Sequence, residues 1–289
     1  MEEAIRPARA DDTARVAEFT TDTFVWGDYV ADVFEDWLAQ PKTIVLVAVD
    51  TNDTPIALAR AMLLSPTEAW FSAARVHPDW RGQGIAGRLA EELKQWTGSQ
   101  GAHVGRLLIE DGNEAAIRHV TKIGMRPVAA FSSCERAVGD ASPVPGGNGG
   151  RRVPAQERLR PTKSAEAEPA FMSWSVGELG TTSRGLFGLG WTFRRLTTGD
   201  LIAAARNEAL WEARSGWAMG ARNHTAGEVG WVETRRADAG AFLRAVVDVG
   251  SDSGAECVSL WLPSGAWALR AARRAGCELH PMTVYAIEI

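Results

Sequence analysis

The segment Val76-His77-Pro78-Asp79-Trp80-Arg81-Gly82-Gln83-Gly84-Ile85-Ala86-Gly87 decides how the rest of the chain is read. An apolar run, residues 69–76, enters it as a strand. Ile85, Leu89, Leu93 and Trp96 leave it at helical spacing, with Gly98 as the expected stop. Three glycines and an alanine at a helix start let successive backbone N–H groups approach a ligand unobstructed, where the positive end of the helix dipole lies. The expected ligand is a pyrophosphate.

Upstream, two strand-like runs, residues 43–49 and 56–64, flank Asp50-Thr51-Asn52-Asp53-Thr54-Pro55, whose turn formers predict an antiparallel hairpin. Downstream come a strand (104–109), Asn113 as helix N-cap, a helix (114–123), Gly124 as its stop and a strand (128–138). Gly82, Gly84 and Gly87 also satisfy G-x-G-x-x-G, with Glu110 beyond the next strand, which mimics a dinucleotide fingerprint. Against that reading stand the antiparallel hairpin, the five residues between strand and first glycine, and the arginine before the glycines.

Residues 141–164 contain Pro-Gly-Gly-Asn-Gly-Gly and cannot bury a core, so they are expected to link two domains, 1–140 and 165–289. The second half predicts strand (191–196), helix (199–209), strands (216–221, 228–232), helix (239–249), strand (257–262), helix (265–275) and strand (282–289). Sliding the chain by 152 places lays Leu108 on Leu260, Ala116 on Ala268, Arg118 on Arg270 and Gly124 on Gly276. That coincidence of strand, helix and terminal glycine points to an internal duplication. The glycine loop is not repeated: its counterpart, Glu233-Thr-Arg-Arg-Ala-Asp-Ala-Gly240, offers no run of open amides.

With 289 residues, 31 basic and 36 acidic, the net charge is −5, which disfavours a protein that binds by neutralising nucleic-acid phosphates. No apolar run approaches the roughly 20 residues of a spanning helix and no leader pattern opens the chain, so a soluble cytoplasmic protein away from membranes is expected. Three scattered cysteines, Cys134, Cys257 and Cys277, suggest buried thiols and neither a disulfide framework nor a metal site. Residues 11–36 hold eight acids against one base, Arg15; this is read either as a solvated helix face or as attraction for a cationic ligand.

The run Arg81-Gly82-Gln83-Gly84-Ile85-Ala86, its lead-in Val76-His77-Pro78 and the second motif of Asn113, Ala116, Ile117 and Gly124-Met125 resemble the GCN5-related N-acetyltransferase (GNAT) family over about residues 4–138. The resemblance implies an α/β fold, a mixed, largely antiparallel sheet flanked by helices, here in tandem with a degenerate second copy that completes the acceptor pocket. It implies acetyl-CoA as co-substrate, its pyrophosphate on the amides of Gly82, Gly84, Ala86 and Gly87 with Arg81, Gln83 and Ile85 beside them, and Asn113 in the same site. The pantetheine is expected to pair as a guest strand near Val76, where the strand 69–76 splays from the strand 104–109.

The expected reaction is direct attack of a small, cationic amine on the thioester. Glu110 is the candidate base, with Glu68 and His77 behind it; His119 reads as a packing residue. The family's usual tyrosine acid falls at Val120, so Tyr285, one of only two tyrosines, is the candidate acid. Phe24, Trp26, Asp28 and Tyr29 are the candidate acceptor contacts, while Phe34 and Trp37 read as the core face of a helix. Two other functions remain open: a non-catalytic acyl-CoA sensor, and a transferase using another acyl donor. A monomer or homodimer is expected.

Overall fold

The computed structural model describes residues 4–21, 23, 27–137, 158–220, 227–252 and 255–289. It divides into two compact units that do not follow chain order: residues 1–107, 114–126 and 285–289 form one, residues 108–113 and 127–284 the other. Most of the segment read as a linker lies outside the described residues.

The elements run β1 (Ala4–Pro7), α1 (Thr13–Thr20), α2 (Val30–Ala39), β2 (Thr43–Val49), β3 (Pro55–Leu63), β4 (Glu68–Val76), α3 (Ile85–Ser99), β5 (Val104–Glu110), α4 (Glu114–Lys122) and β6 (Arg126–Ala137). There follow β7 (Arg160–Pro161), α5 (Ala167–Val176), α6 (Glu178–Thr182), β8 (Leu186–Leu189), β9 (Thr192–Arg195), α7 (Thr198–Arg206), β10 (Leu210–Ala213), β11 (Gly216–Gly220), β12 (Glu228–Thr234), α8 (Ala239–Asp252), β13 (Cys257–Pro263), α9 (Ala266–Arg274) and β14 (Glu278–Glu288).

In the first unit β1 to β4 form an antiparallel meander, and β5 joins β4 in parallel. Alternation in β3 sends Leu58 to one face, with Val16, Phe34 and Trp37 of α1 and α2, and Ala57, Ala59 and Ala61 to the other, with Ile85, Leu89 and Leu93 of α3. The β2–β3 turn closes on Asp50, whose Oδ1 accepts from the N–H groups of Asn52 (2.8 Å) and Thr54 (2.9 Å).

Gly98 does not stop α3, which runs on to Ser99; Gly101, at φ +92°, is the left-handed residue that ends it. Gly98 is small for another reason. A Cβ there would lie 3.0 Å from Cγ2 of Ile289, and the Ile289 N–H donates to His103 O at 3.0 Å. The chain's last five residues thus complete the first unit.

The second unit has β6, β13, β12, β11, β10 and β7 in that order, with β12 and β13 parallel and the other pairs antiparallel. β6 contributes residues 131–137 to its ladder with β13. Its core holds Trp174 and Trp231, edge to face at 6.3 Å, and Phe193 lies against Trp261 at 5.0 Å; Trp191 is largely exposed.

Two helices match across the shift of 152. α4 and α9 begin and end 152 residues apart, and both terminate on a left-handed glycine, Gly124 (φ +92°) and Gly276 (φ +86°). The bonds that close them correspond: Met125 N to Val120 O (2.9 Å) and Cys277 N to Ala272 O (3.1 Å). One sequence expectation fails here: Cys134 and Cys277 are buried thiols, but Cys257 is exposed at the start of β13.

Candidate functional site

β4 and β5 are paired only over residues 68–70 and 104–106. Beyond Trp70 the two strands part, as the resemblance implied. Two features hold them there. At the paired end, Arg106 Nη1 lies 2.6 Å from Glu68 Oε1, both side chains buried, and Ser65 Oγ donates to the other carboxylate oxygen at 3.3 Å. Next to it the ring of Phe71 crosses Gly105, where a Cβ would come within 2.3 Å of Phe71 Cε2.

β4 itself carries a bulge. The register with β3 shifts between Leu58 and Arg60, and Ala73 takes a left-handed conformation, φ +58°. Past the bulge, His77 N donates to Ile56 O (2.8 Å), so Ala57 and Val76 face each other as a non-hydrogen-bonded pair. The N–H and C=O of Val76 therefore point away from β3, on the side from which β5 has diverged. The carbonyl accepts from Arg81 Nε at 3.2 Å, which ties the loop back to the strand end.

A short 3-10 turn, Pro78–Trp80, leads into that loop, with the N–H of Asp79 donating to Nδ1 of His77 at 3.3 Å. Gly82 and Gly84 are left-handed, at φ +81° and +79°, and Gly84 is the N-cap of α3. The N–H groups of residues 82–86 donate to no partner among the described residues. A Cβ on Gly82 would meet nothing within 4 Å. Five consecutive open donors at the start of a fifteen-residue helix form an anion cradle. Arg81 and Arg88 flank it; Arg88 Nη1 donates to Gln83 O at 3.2 Å. Gly87 differs from its companions: its N–H is committed to Gly84 O at 3.0 Å, and a Cβ there would meet only Cγ2 of Ile123, at 4.0 Å. The residues present fit a diphosphate of the kind coenzyme A carries.

Other candidate residues are placed differently. Glu68, bound to Arg106, is withdrawn as a base. His77 is a turn former. His119 is half-buried, and burial together with Lys122 pushes its pKa down, which keeps it neutral at pH 7. Glu110 is exposed at the end of β5, and Asn113, whose N–H donates to Glu110 O (3.0 Å), opens the turn to α4; both group with the second unit, apart from the cradle's. Tyr285 is buried on β14 and groups with the first unit, the one that holds the cradle. Val120 is buried in α4.

Phe24 and Trp26 lie outside the described residues. Asp28 was expected to face a cationic acceptor, but its fully buried carboxylate is held by Arg75 of β4, Nε to Oδ2 at 2.6 Å. Its charge is already matched. Tyr29 is 43% exposed, edge to face with Trp37 at 6.0 Å, and Arg75 approaches its ring at 5.9 Å. Phe34 and Trp37 are core residues, as read.

The remaining acids of α2, Asp32, Glu35 and Asp36, are exposed, while Asp12 pairs with Arg6 and Glu18 with Arg15. Among the described acids of this segment, Asp32, Glu35 and Asp36 are solvated, and Asp12, Glu18 and Asp28 are ion-paired within the chain. Sequence reasoning missed Arg75 and the neighbouring Arg60, which is buried, stacks on Trp37 at 4.8 Å and reaches Gln40 Oε1 at 2.5 Å. Burial pushes the Arg60 pKa down. Nothing local in the sequence marks either arginine, because each partner lies 20 or more residues away.

Residues 13–125 match the acetyltransferase (GNAT) family model. Among solved structures, a GCN5-related N-acetyltransferase from Sphaerobacter thermophilus is 18% identical, with 99% of this chain and 95% of that chain covered and a TM-score of 0.67. A Pyrococcus horikoshii protein described as an acetyltransferase is 16% identical, covers 99% of this chain and 89% of its own, and has a TM-score of 0.57. These likenesses show the fold, and it extends through both halves. No curated protein matches the chain. The matched family model, over an anion cradle and a pair of parting strands, places a domain of the GNAT acetyltransferase family at residues 13–125.

Proposed function

We propose that the chain transfers an acetyl group from acetyl-CoA to the amine of a small molecule by direct attack within a ternary complex. The observation that supports it most is the run of five unpartnered N–H groups at residues 82–86 beside the outward-facing backbone of Val76. The cradle holds the coenzyme A diphosphate. The backbone of Val76 holds the pantetheine arm on the open side of β4, and its N–H stabilises the oxyanion that forms as the amine attacks, worth about 3 kcal/mol in such sites. Holding amine and thioester in contact supplies much of the remaining rate.

In the transfer, the amine nitrogen bonds to the thioester carbonyl carbon and the carbon–sulfur bond breaks. The amine gives up a proton and the departing thiolate takes one. Tyr285 is proposed to supply the second, as a member of the cradle's own unit, and the first is proposed to leave through water. Tyr285→Phe is expected to lower kcat about tenfold to a hundredfold while leaving the Kd for coenzyme A within twofold; an unchanged kcat removes the tyrosine from the reaction.

The engaged state of Asp28 takes away one reason to expect a cationic acceptor. A panel spanning polyamines, amino sugars and amino acids, each with acetyl-CoA and read by thiol release, therefore tests the reading without presupposing charge. Turnover on any of these amines supports transfer. Tight coenzyme A binding with no turnover on all of them favours the acyl-CoA sensor, and turnover only with propionyl-, malonyl- or succinyl-CoA favours another donor.

A further inference from the structure

The second unit repeats the start of α3 with different chemistry. In α8 the carbonyl of Asp238 accepts from Ala241 N and Phe242 N, each at 3.0 Å, as the carbonyl of Gly84 accepts from Gly87 N (3.0 Å) and Arg88 N (3.2 Å). Buried Ala239 and Leu243 take the places of buried Ile85 and Leu89. At that register Arg236 stands where Gly82 does and Asp238 where Gly84 does. The Asp238 carboxylate, 3.3 Å from Arg235 Nη2, puts a negative charge at the mouth of the helix, where the first unit leaves room for a phosphate. The amide cradle is gone.

What replaces it is a cleft of about 510 Å³ along the first turns of α8 and the outer face of α9. Arg236, Gly240 and Arg244 line one side, and Trp267, Arg270 and Arg274 the other. All four guanidinium groups are exposed, and none has a carboxylate within ion-pair distance among the described residues. Among the described residues, no acidic side chain lines the cleft. Arg244 folds over Gly240, its Nη1 3.8 Å from where a Cβ would stand. Arg270 and Arg274 are one turn apart on α9, a like-charge pair that weakens a helix by itself. Four unmatched guanidinium groups around one cleft repel each other until an anion enters. Arginine is the side chain that grips phosphate with paired donors, and Trp267 supplies a flat, half-buried wall suited to a planar ring. The cleft volume falls within the range of small-molecule sites.

We infer that this cleft is a second ligand site, specific for a nucleotide bearing two or more phosphates, held by side chains rather than by backbone amides. The phosphates lie among Arg236, Arg244, Arg270 and Arg274, and the base against Trp267. The same chemistry is offered by a free nucleoside polyphosphate and by the phosphorylated adenosine end of coenzyme A, and titration separates the two. This site goes beyond the transfer reaction and does not depend on it.

The test is calorimetric titration of the full chain with ATP at 0.15 M salt, repeated with inorganic tripolyphosphate and with coenzyme A. One saturable ATP site is expected, weakened at least tenfold in R270Q/R274Q and in R236Q, whose changes are on exposed side chains and whose melting temperatures check the fold. Trp267→Leu is expected to weaken ATP at least fivefold and to leave tripolyphosphate within twofold. In Gly82→Val, ATP binding is expected to persist; a coenzyme A site that also persists there and is lost in R270Q/R274Q identifies coenzyme A as a second occupant. No saturable ATP binding, or ATP binding that ignores the arginine changes and disappears in Gly82→Val, overturns the inference.

Discussion

Replacing Glu68 by alanine is expected to destabilise the protein by about 3–5 kcal/mol, the usual cost of stranding one member of a buried ion pair. Arg106 is buried almost completely, and its nearest counter-charge is the Glu68 carboxylate at 2.6 Å. Without that carboxylate the guanidinium is left buried without its counter-charge at the place where β4 and β5 are paired. The loss should therefore be structural as well as electrostatic, loosening the paired end from which the strands diverge. Chemical denaturation of Glu68→Ala, Arg106→Met and a Glu68→Leu/Arg106→Met double variant checks this. The double variant should recover most of the loss, because two apolar groups of similar volume leave nothing uncompensated. Equal losses in all three would mean that packing volume, not charge, holds the junction.

Gly82→Val is expected to weaken coenzyme A binding at least a hundredfold with little change in stability beyond the backbone strain. Gly82 has φ +81°, a conformation that costs a β-branched residue roughly 1–3 kcal/mol. A Cβ there would meet nothing within 4 Å, so an isopropyl group stands in open space within the cradle segment and is expected to obstruct a bound phosphate. The companion Gly87→Ala separates shape from donors: the Gly87 N–H is already spent on Gly84, and a Cβ there would be about 4.0 Å from Ile123, so binding should stay within a few-fold of the parent. If Gly87→Ala proves as damaging as Gly82→Val, the cradle is centred one turn later than residues 82–86.

What could be read from the chain divides by sequence distance. The glycine loop was legible because left-handed glycines, a helix start and a strand end are neighbours in sequence and need no distant partner. The match of α4 with α9 was legible because Gly124 and Gly276 end these two helices in the same way. Gly98 was misread: its role is set by Ile289, at the far end of the chain, and not by its own helix. Glu68 and Asp28 looked like free carboxylates because Arg106 and Arg75 stand 38 and 47 residues away. The bulge at Ala73, which re-aims the end of β4, has no signature at all, since alanine rarely adopts positive φ. The assignment of residues 285–289 to the first unit escaped for the same reason that strand partners generally do: pairing is a non-local choice.

The most direct test is to follow the backbone amide resonances of residues 82–86 by NMR while coenzyme A is added to the full chain. The N–H groups of residues 82–86 should shift together, move downfield as they take up phosphate oxygens, and saturate at one equivalent, with Gly87 shifting least. Coenzyme A that binds while those five resonances stay in place would contradict the account.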